Sequence, residues 1–355
     1  MNLKNSAKVF LNHAKEQYHS SEEYRFMRDI VLRDKAAFPP LTAAEKKEIH
    51  AYWSHYGFSI QHTDTYRVLY SLTGVHDPRF VPAYLHFDRI IPKLNDSKLT
   101  SAWEDKAYLS RILYGFPTPR QILANIHGIF YDEDFHLISR EAAEEIIHRY
   151  PALVFKPTIL SGQGRMVNLF RAPYETDVIL ATYGENFSVQ LPISQCAEMA
   201  SLNPSSVNTF RVNTLVWNGE KYSLPGFMRV GEHGNFADNY GDDRYFIGIQ
   251  PDGSLGSYVV DHHIHRISLE DVSIPFQGFT IPKYTDAVEM AKAAHDRCPH
   301  FGLIGWDFCI NENYEPQIIE MNIASAGIFE VQMVSQTPFF GDMTDELLSA
   351  IQKRK

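Results

Sequence analysis

Two short apolar runs, Leu303 to Ile310 and Pro316 to Ile323, flank the polar turn Asn311-Glu312-Asn313-Tyr314. Apolar runs of this length bounded by turn residues predict strands, and the short spacing predicts a hairpin. A third run, Pro151 to Phe155, predicts a strand that ends on Lys156 and leads into the loop Ser161-Gly162-Gln163-Gly164. Upstream, Asp105-Lys106 opens an amphipathic stretch that stops at Gly115-Phe116-Pro117-Thr118-Pro119, the glycine-then-proline ending of a helix. Residues 1 to about 95 read as mainly helical, either a packing lobe or a substrate-side lid. There Thr42-Ala43-Ala44-Glu45 is a capping box opening a helix toward Trp53, and Asp77 to Pro82 makes a turn before another helical run. Asp286 to Arg297 and Asp342 to Lys355 predict two more helices, and no repeat or low-complexity stretch interrupts the chain.

The polar residues inside these apolar runs carry the candidate chemistry. Asp307 and Glu320 lie at comparable distances on either side of the hairpin turn, so the register can set them face to face. Two like charges in an apolar hairpin each cost several kcal/mol, about, unless a cation neutralises them. Asn322 shares the strand face of Glu320 and adds a neutral oxygen, a donor set that suits magnesium held against phosphate. The alternative is an exposed edge hairpin carrying ordinary polar residues. Lys156 sharpens the choice, because lysine is depleted in strand interiors and points from one toward an anion. The glycines that follow let backbone N–H groups approach phosphate, although neither the Walker nor the Rossmann pattern is present. Arg229 to Arg244, polar and glycine-containing, reads as a binding loop in which Arg229 can clamp a carboxylate, with a solvated loop as the alternative for Asp242 to Arg244. Asp261-His262-His263-Ile264-His265 invites a metal reading, yet along a strand only His263 and His265 share a face, which favours an exposed strand end or substrate-facing histidines over zinc.

The order Asp105-Lys106, Gly115-Phe116-Pro117-Thr118-Pro119, Val154-Phe155-Lys156-Pro157, a glycine loop, Asp307 and Glu320-Met321-Asn322 resembles the ATP-grasp superfamily over roughly residues 100 to 340. Leu202-Asn203-Pro204-Ser205-Ser206-Val207-Asn208-Thr209-Phe210-Arg211, Met228-Arg229-Val230-Gly231, Asp238-Asn239-Tyr240, Gly253 and Ile281-Pro282 resemble its sugar-transfer-associated branch. The resemblance implies two α+β lobes gripping ATP, an antiparallel sheet carrying the metal and a mainly helical N-terminal region. The corresponding division is 1–98 helical, 99–185 the small lobe with the phosphate loop, and 186–355 the large lobe with the metal and acceptor site. Lys106 and Lys156 then resemble the lysines that contact ATP's adenine side and its α- and β-phosphates, and Ser161, Gly162 and Gly164 the loop over the γ-phosphate. Asp307, Glu320 and Asn322 resemble the ligands of one or two magnesium ions, with manganese as an alternative. Arg211 resembles the arginine that steadies the γ-phosphate or an acyl-phosphate. Phe187 to Ile193, with Gln190, Leu191 and Ile193, resembles the hinge that reads adenine; Gln190 stands where a glutamate is usual and can still accept through its amide oxygen. Glu198 is the expected ribose contact, and Arg229, Asp238 and Asn239 are the expected substrate contacts.

Composition narrows the class without choosing the chemistry. At 355 residues and 44% hydrophobic the chain can bury a large core, and a net charge of −10 argues against a nucleic-acid partner. Cys196, Cys298 and Cys309 form no C-x-x-C spacing, and with no apolar leader and no apolar stretch of about 18 residues the expectation is a cytoplasmic protein with free thiols. The leading expectation is an ADP-forming ligase that joins a small-molecule carboxylate to an amine or thiol, on a sugar, cell-envelope or secondary-metabolite precursor. A phosphotransferase on the same fold and a non-catalytic nucleotide- or metal-binding module are the alternatives, and a homodimer stays open.

Overall fold

The strands alternate apolar residues with polar ones, and this alternation organises a computed structural model that describes residues 3–159, 166–231, 244–324 and 326–353. The smaller sheet comprises β1 (Gln121–Ile126), β2 (Ile129–Asp132), β3 (Leu137–Ile138), β4 (Ala152–Pro157), β5 (Asn168–Arg171) and β6 (Phe187–Gln190). Its order is β3-β2-β1-β6-β4-β5, antiparallel throughout. One face packs Leu123, Leu153, Phe155, Phe187 and Val189 against Ile147 and Leu180 of the helices Arg140–His148 and Thr176–Tyr183. The other face carries Gln121, Lys156, Ser188 and Gln190, all buried.

The larger sheet comprises β7 (Thr209–Trp217), β8 (Glu220–Gly231), β9 (Arg244–Ile249), β10 (Leu255–Asp261), β11 (Arg266–Ser268), β12 (Leu303–Ile310) and β13 (Pro316–Asn322), in the order β11-β10-β9-β8-β7-β12-β13. Phe210, Val212, Met228, Ile247, Trp306 and Phe308 pack on the alanines of the helix Tyr284–His295. On the opposite face Phe227, Phe246, Tyr258 and Val260 join one core with the N-terminal helices and with the helices Phe329–Ser335 and Thr344–Lys353. The N-terminal region is therefore bound into the large lobe. It opens with the helices Leu3–Arg33 and Ala43–His55, and the Thr42–Glu45 capping box forms as expected. A helix over 83–94 follows, running through a π turn at His86–Ile90. Among the described residues no helix is long and apolar enough to cross a membrane.

Three local expectations change. A division at residue 186 assigns Phe187–Gln190 to the large lobe, but β6 lies between β1 and β4 at the centre of the small sheet. Its four residues are all buried, so the crossing between lobes begins after Gln190. The Asp105-Lys106 stretch makes only a 3-10 turn, Lys106–Tyr108, and one α turn, Leu109–Ile112, before ending at Gly115 with φ of 90°. Asp261 to His265 turns back on itself instead of continuing a strand: Ile264 is left-handed, and the backbone N–H of His265 donates to Asp261 Oδ1 at 2.7 Å.

Candidate active site

The hairpin register sets Asp307 opposite Glu320, and Gly305 opposite Asn322. A bulge between Asp307 and Phe308 keeps the polar residues on one face while the apolar ones reach the core. On the other side of β12, Asp307 lies opposite Arg211 and Gly305 opposite Asn213. Residues opposite one another in an antiparallel ladder share a face, so Glu320, Asp307 and Arg211 form one row across three strands.

Within that row Arg211 Nε and Nη2 donate to Asp307 Oδ1 and Oδ2 at 2.5 and 3.1 Å, and Asn322 Nδ2 lies 3.3 Å from Asp307 Oδ2. Burial works to raise the Asp307 carboxyl, but the charge and hydrogen bonds of Arg211, then the charge of Arg229, hold it below the usual carboxylate range. Burial likewise opposes the charge on Arg211, and Asp307, Glu320 and Glu330 keep that guanidinium firmly protonated. Gly305 makes this geometry possible. A Cβ there would lie 3.0 Å from Arg211 Nη1 and from Asn213 Oδ1.

The small lobe contributes lysines to the same place. Lys106 Nζ lies 3.0 Å from Glu320 Oε1, and its backbone N–H donates to Thr158 O at 3.0 Å, just past β4. Gln121 Nε2 donates to Ala107 O at 3.1 Å, which ties the same turn to β1. Lys156 projects from β4 opposite Ser188. Burial pushes its ammonium down to about 8; the nearby charge of Lys106 adds to this and that of Glu320 opposes it. Lys106, Lys156 and Glu320 thus interact where the small sheet meets the hairpin. Ser188 Oγ, on the row of Lys156, is buried with no hydrogen-bond partner among the described residues.

The structure brings together Lys106, Lys156, Arg211, Asp307, Glu320 and Asn322. Arg229 stands opposite Thr209 on β8, close enough for its charge to act on Asp307. Gln190 is buried on β6, and the N–H of Leu191 is held by Arg120 O at 3.0 Å where the chain leaves the sheet toward Ile193. Glu198 accepts a hydrogen bond from the hydroxyl of Tyr314 in the hairpin turn. Ser161, Gly162, Gly164, Asp238 and Asn239 lie outside the described residues.

Of the string Leu202 to Arg211, only Arg211 enters the site; the residues before it support it. Asn208 Nδ2 donates to Met199 O and Asn203 O, and Gln195 Nε2 to Asn203 O and Ser206 O, so the start of β7 is set from within. Sequence reasoning missed Glu104, Ser188, Gly305 and Glu330. Gly305 alone carried a signal, as the glycine two residues before Asp307 in an otherwise apolar strand.

No curated protein matches the chain. Among solved structures it is similar to the ATP-grasp ligase PsnB complexed with minimal precursor, Mg and ADP, at 15% identity and a TM-score of 0.43, covering 74% of this chain and 62% of that one. It is also similar to the VanG D-Ala:D-Ser ligase from Enterococcus faecalis, at 12% identity and a TM-score of 0.43, covering 70% of this chain and 61% of that one. A third similarity is to purK, N5-carboxyaminoimidazole ribonucleotide synthetase, at 14% identity and a TM-score of 0.38, covering 62% and 44%. The chain thus spans less than two thirds of the length of each of these proteins. Residues 85–345, which include both lysines, Arg211 and the hairpin of Asp307 and Glu320, match the family described as sugar-transfer associated ATP-grasp; the chain belongs to that family and has its fold.

Proposed function

We propose that the protein is an ATP- and magnesium-dependent ligase that joins a carboxylate to an amine with release of ADP. The observation that carries this reading is the meeting of Lys106 and Lys156 from one side of the cleft with Glu320, Asp307 and Arg211 from the other. Asp307, Glu320 and Asn322 form a set of hard oxygen donors suited to magnesium. When bound, magnesium would neutralise phosphate oxygens and favour attack at the γ-phosphorus.

The remaining roles belong to the chain itself. Lys106 and Lys156 hold the ATP phosphates, and Lys156, desolvated in the cleft, attracts them more strongly than an exposed lysine would. Ser161, Gly162 and Gly164 close over the γ-phosphate and keep water out. Gln190, Leu191 and Ile193 read adenine, and Glu198 holds the ribose. A substrate carboxylate oxygen bonds to the γ-phosphorus as the bond to ADP breaks, giving an acyl-phosphate. The amine then bonds to the acyl carbon, the carbon–oxygen bond to phosphate breaks, and the amine's proton leaves with phosphate or water. Arg211 and Arg229 steady the negative charge through both steps, and Arg229, Asp238 and Asn239 orient the acceptor. The family's association with sugar transfer makes a sugar-linked or cell-envelope precursor the first acceptor class to try.

The test compares melting with and without magnesium and a non-hydrolysable ATP analogue. Saturation at a hundred dissociation constants adds about 2.7 kcal/mol. The parent should show this shift, and Asp307→Asn and Lys156→Ala should lose it. The shift is the readout because Asp307→Asn also strips Arg211 of its buried counter-charge and lowers the ligand-free midpoint. A parent that does not respond sinks the reading. ADP release that requires both an acid and an amine separates the ligase from a phosphotransferase.

A further inference from the structure

The segment just past the metal-ligand strand is held from outside the hairpin. Glu104 Oε1 accepts the backbone N–H groups of Ile323 at 2.6 Å and Ala324 at 2.8 Å. Asn95 Nδ2 donates to Ile323 O and Leu303 O at 2.8 Å each, and the ring of His86 donates from Nε2 to Ala326 O at 3.1 Å. Of these three, only Glu104 stands two residues from a member of the site.

Two short hydrogen bonds from adjacent backbone N–H groups to one oxygen make a stiff link. Backbone from 104 to 106 is pinned at its other end by the Lys106 N–H on Thr158 O, and Asp105 caps it locally by accepting from the N–H of Ala107 at 2.9 Å. Lys106 therefore starts from a point fixed to both lobes. Its ammonium reaches Glu320 on β13, three residues before Ile323 in the segment that Glu104 grips. The two links cross in opposite senses: a carboxylate from the linker onto the backbone just past β13, and an ammonium from the linker onto a carboxylate of β13. Without the first, the linker can slide along β13, and the second no longer meets Glu320 at one distance.

We propose that Glu104 is a positioning residue for magnesium-nucleotide binding, acting through Lys106 and Glu320. The inference rests on the ATP reading above. A magnesium ion on Glu320 must share that carboxylate with the Lys106 ammonium, so affinity depends on where the linker sets the lysine. Reach matters more than charge in this role, because what Glu104 supplies is an oxygen at hydrogen-bond distance from two N–H groups.

The experiment measures, by calorimetry on the full chain, the affinity for a non-hydrolysable ATP analogue as magnesium is varied. Glu104→Ala and Glu104→Asp should both lose about ten- to a hundredfold in affinity at a given magnesium concentration, as supporting partners of metal ligands do. Glu104→Gln, whose amide oxygen can accept both N–H groups, should stay within a few-fold, about, of the parent. Ligand-free melting curves report folding separately. If the alanine variant does not fold, the contrast between Asp and Gln decides. Parent-like affinity in the Asp variant overturns the proposal, and so does a Gln variant as weak as the Asp variant. A parent that binds no analogue overturns the ligase reading instead, so the two failures are told apart.

Discussion

Lys156 keeps its charge against its surroundings, and that tension is measurable. Its folded value is pushed down to about 8, first by burial and then by Lys106, while in the unfolded chain it returns to a lysine's ordinary value of about 10.4. Below about pH 8 both forms are charged and the burial penalty is fully present. Between there and about pH 10.4 the unfolded chain holds a proton that the folded chain has released, so the lysine's contribution to stability rises with pH. Phosphate binding runs the other way, because a neutral amine no longer attracts an anion. Affinity for the magnesium–analogue complex should fall by up to about tenfold from pH 7 to pH 9 in the parent. In Lys156→Met it should be weak and flat. Isothermal titration at each pH checks this, and a flat parent profile would remove Lys156 from the phosphate contacts. At this scale the sequence was informative wherever a residue was out of place for its element: a lysine at a strand end, and two carboxylates and an asparagine in an apolar hairpin. Ser188 and Glu104 are ordinary residues for a strand and for a turn, so nothing along the chain marks them. They matter only through residues distant in sequence, Lys156 opposite Ser188 in the ladder and the N–H groups of Ile323 and Ala324 held by Glu104.

The hairpin β12–β13 is the element that the sequence describes best. Its strands, its turn and the pairing of Asp307 with Glu320 follow from apolar runs of matching length around one polar turn. Its bulge leaves no such trace, since both registers place apolar residues on the core side nearby. β6 was misplaced for a related reason. Four buried residues look alike in a hinge and in a central strand, and only its pairing with β1 and β4 decides. Gly305 gives the hairpin its sharpest test. Gly305→Ala puts a methyl 3.0 Å from the Arg211 guanidinium and 3.2 Å from its Cδ, so the arginine must give by a few tenths of an ångström against its pairing with Asp307, or the strand must bow. Overpacking of this kind costs about 1–3 kcal/mol. The denaturant midpoint should fall with the slope unchanged, and the melting shift given by magnesium and analogue should shrink. A variant as stable and as responsive as the parent would show that the close packing around Arg211 is not needed.

For the whole molecule, the N-terminal helices could be read from sequence as a packing lobe or as a lid over the substrate, and their apolar residues do not say which. Ile49, Trp53, Tyr66 and Phe80 are buried in the same core as Phe227, Phe246 and Val260 of the large sheet and Leu347 and Leu348 near the end of the chain. A lid would bury its apolar face only on closing. Here that face is already spent, and Gln332 locks it by accepting the N–H of Val81 at 2.9 Å and donating to Val81 O at 3.0 Å. The helices and the large lobe should therefore unfold together. Trp53 reports on the helical side and Trp306 on the opposite face of the sheet, both fully buried. Variants that retain only one of the chain's four tryptophans, Trp53 or Trp306, should each show a fluorescence midpoint that matches their own helical signal. Removing residues 1–94 should leave an aggregating chain, because it uncovers Phe227, Phe246, Tyr258 and Val260 together. If Trp53 instead melts several degrees before Trp306, the N-terminal helices form a separate cooperative unit. They would then be free to move against the sheet, and the lid reading would return with a physical basis.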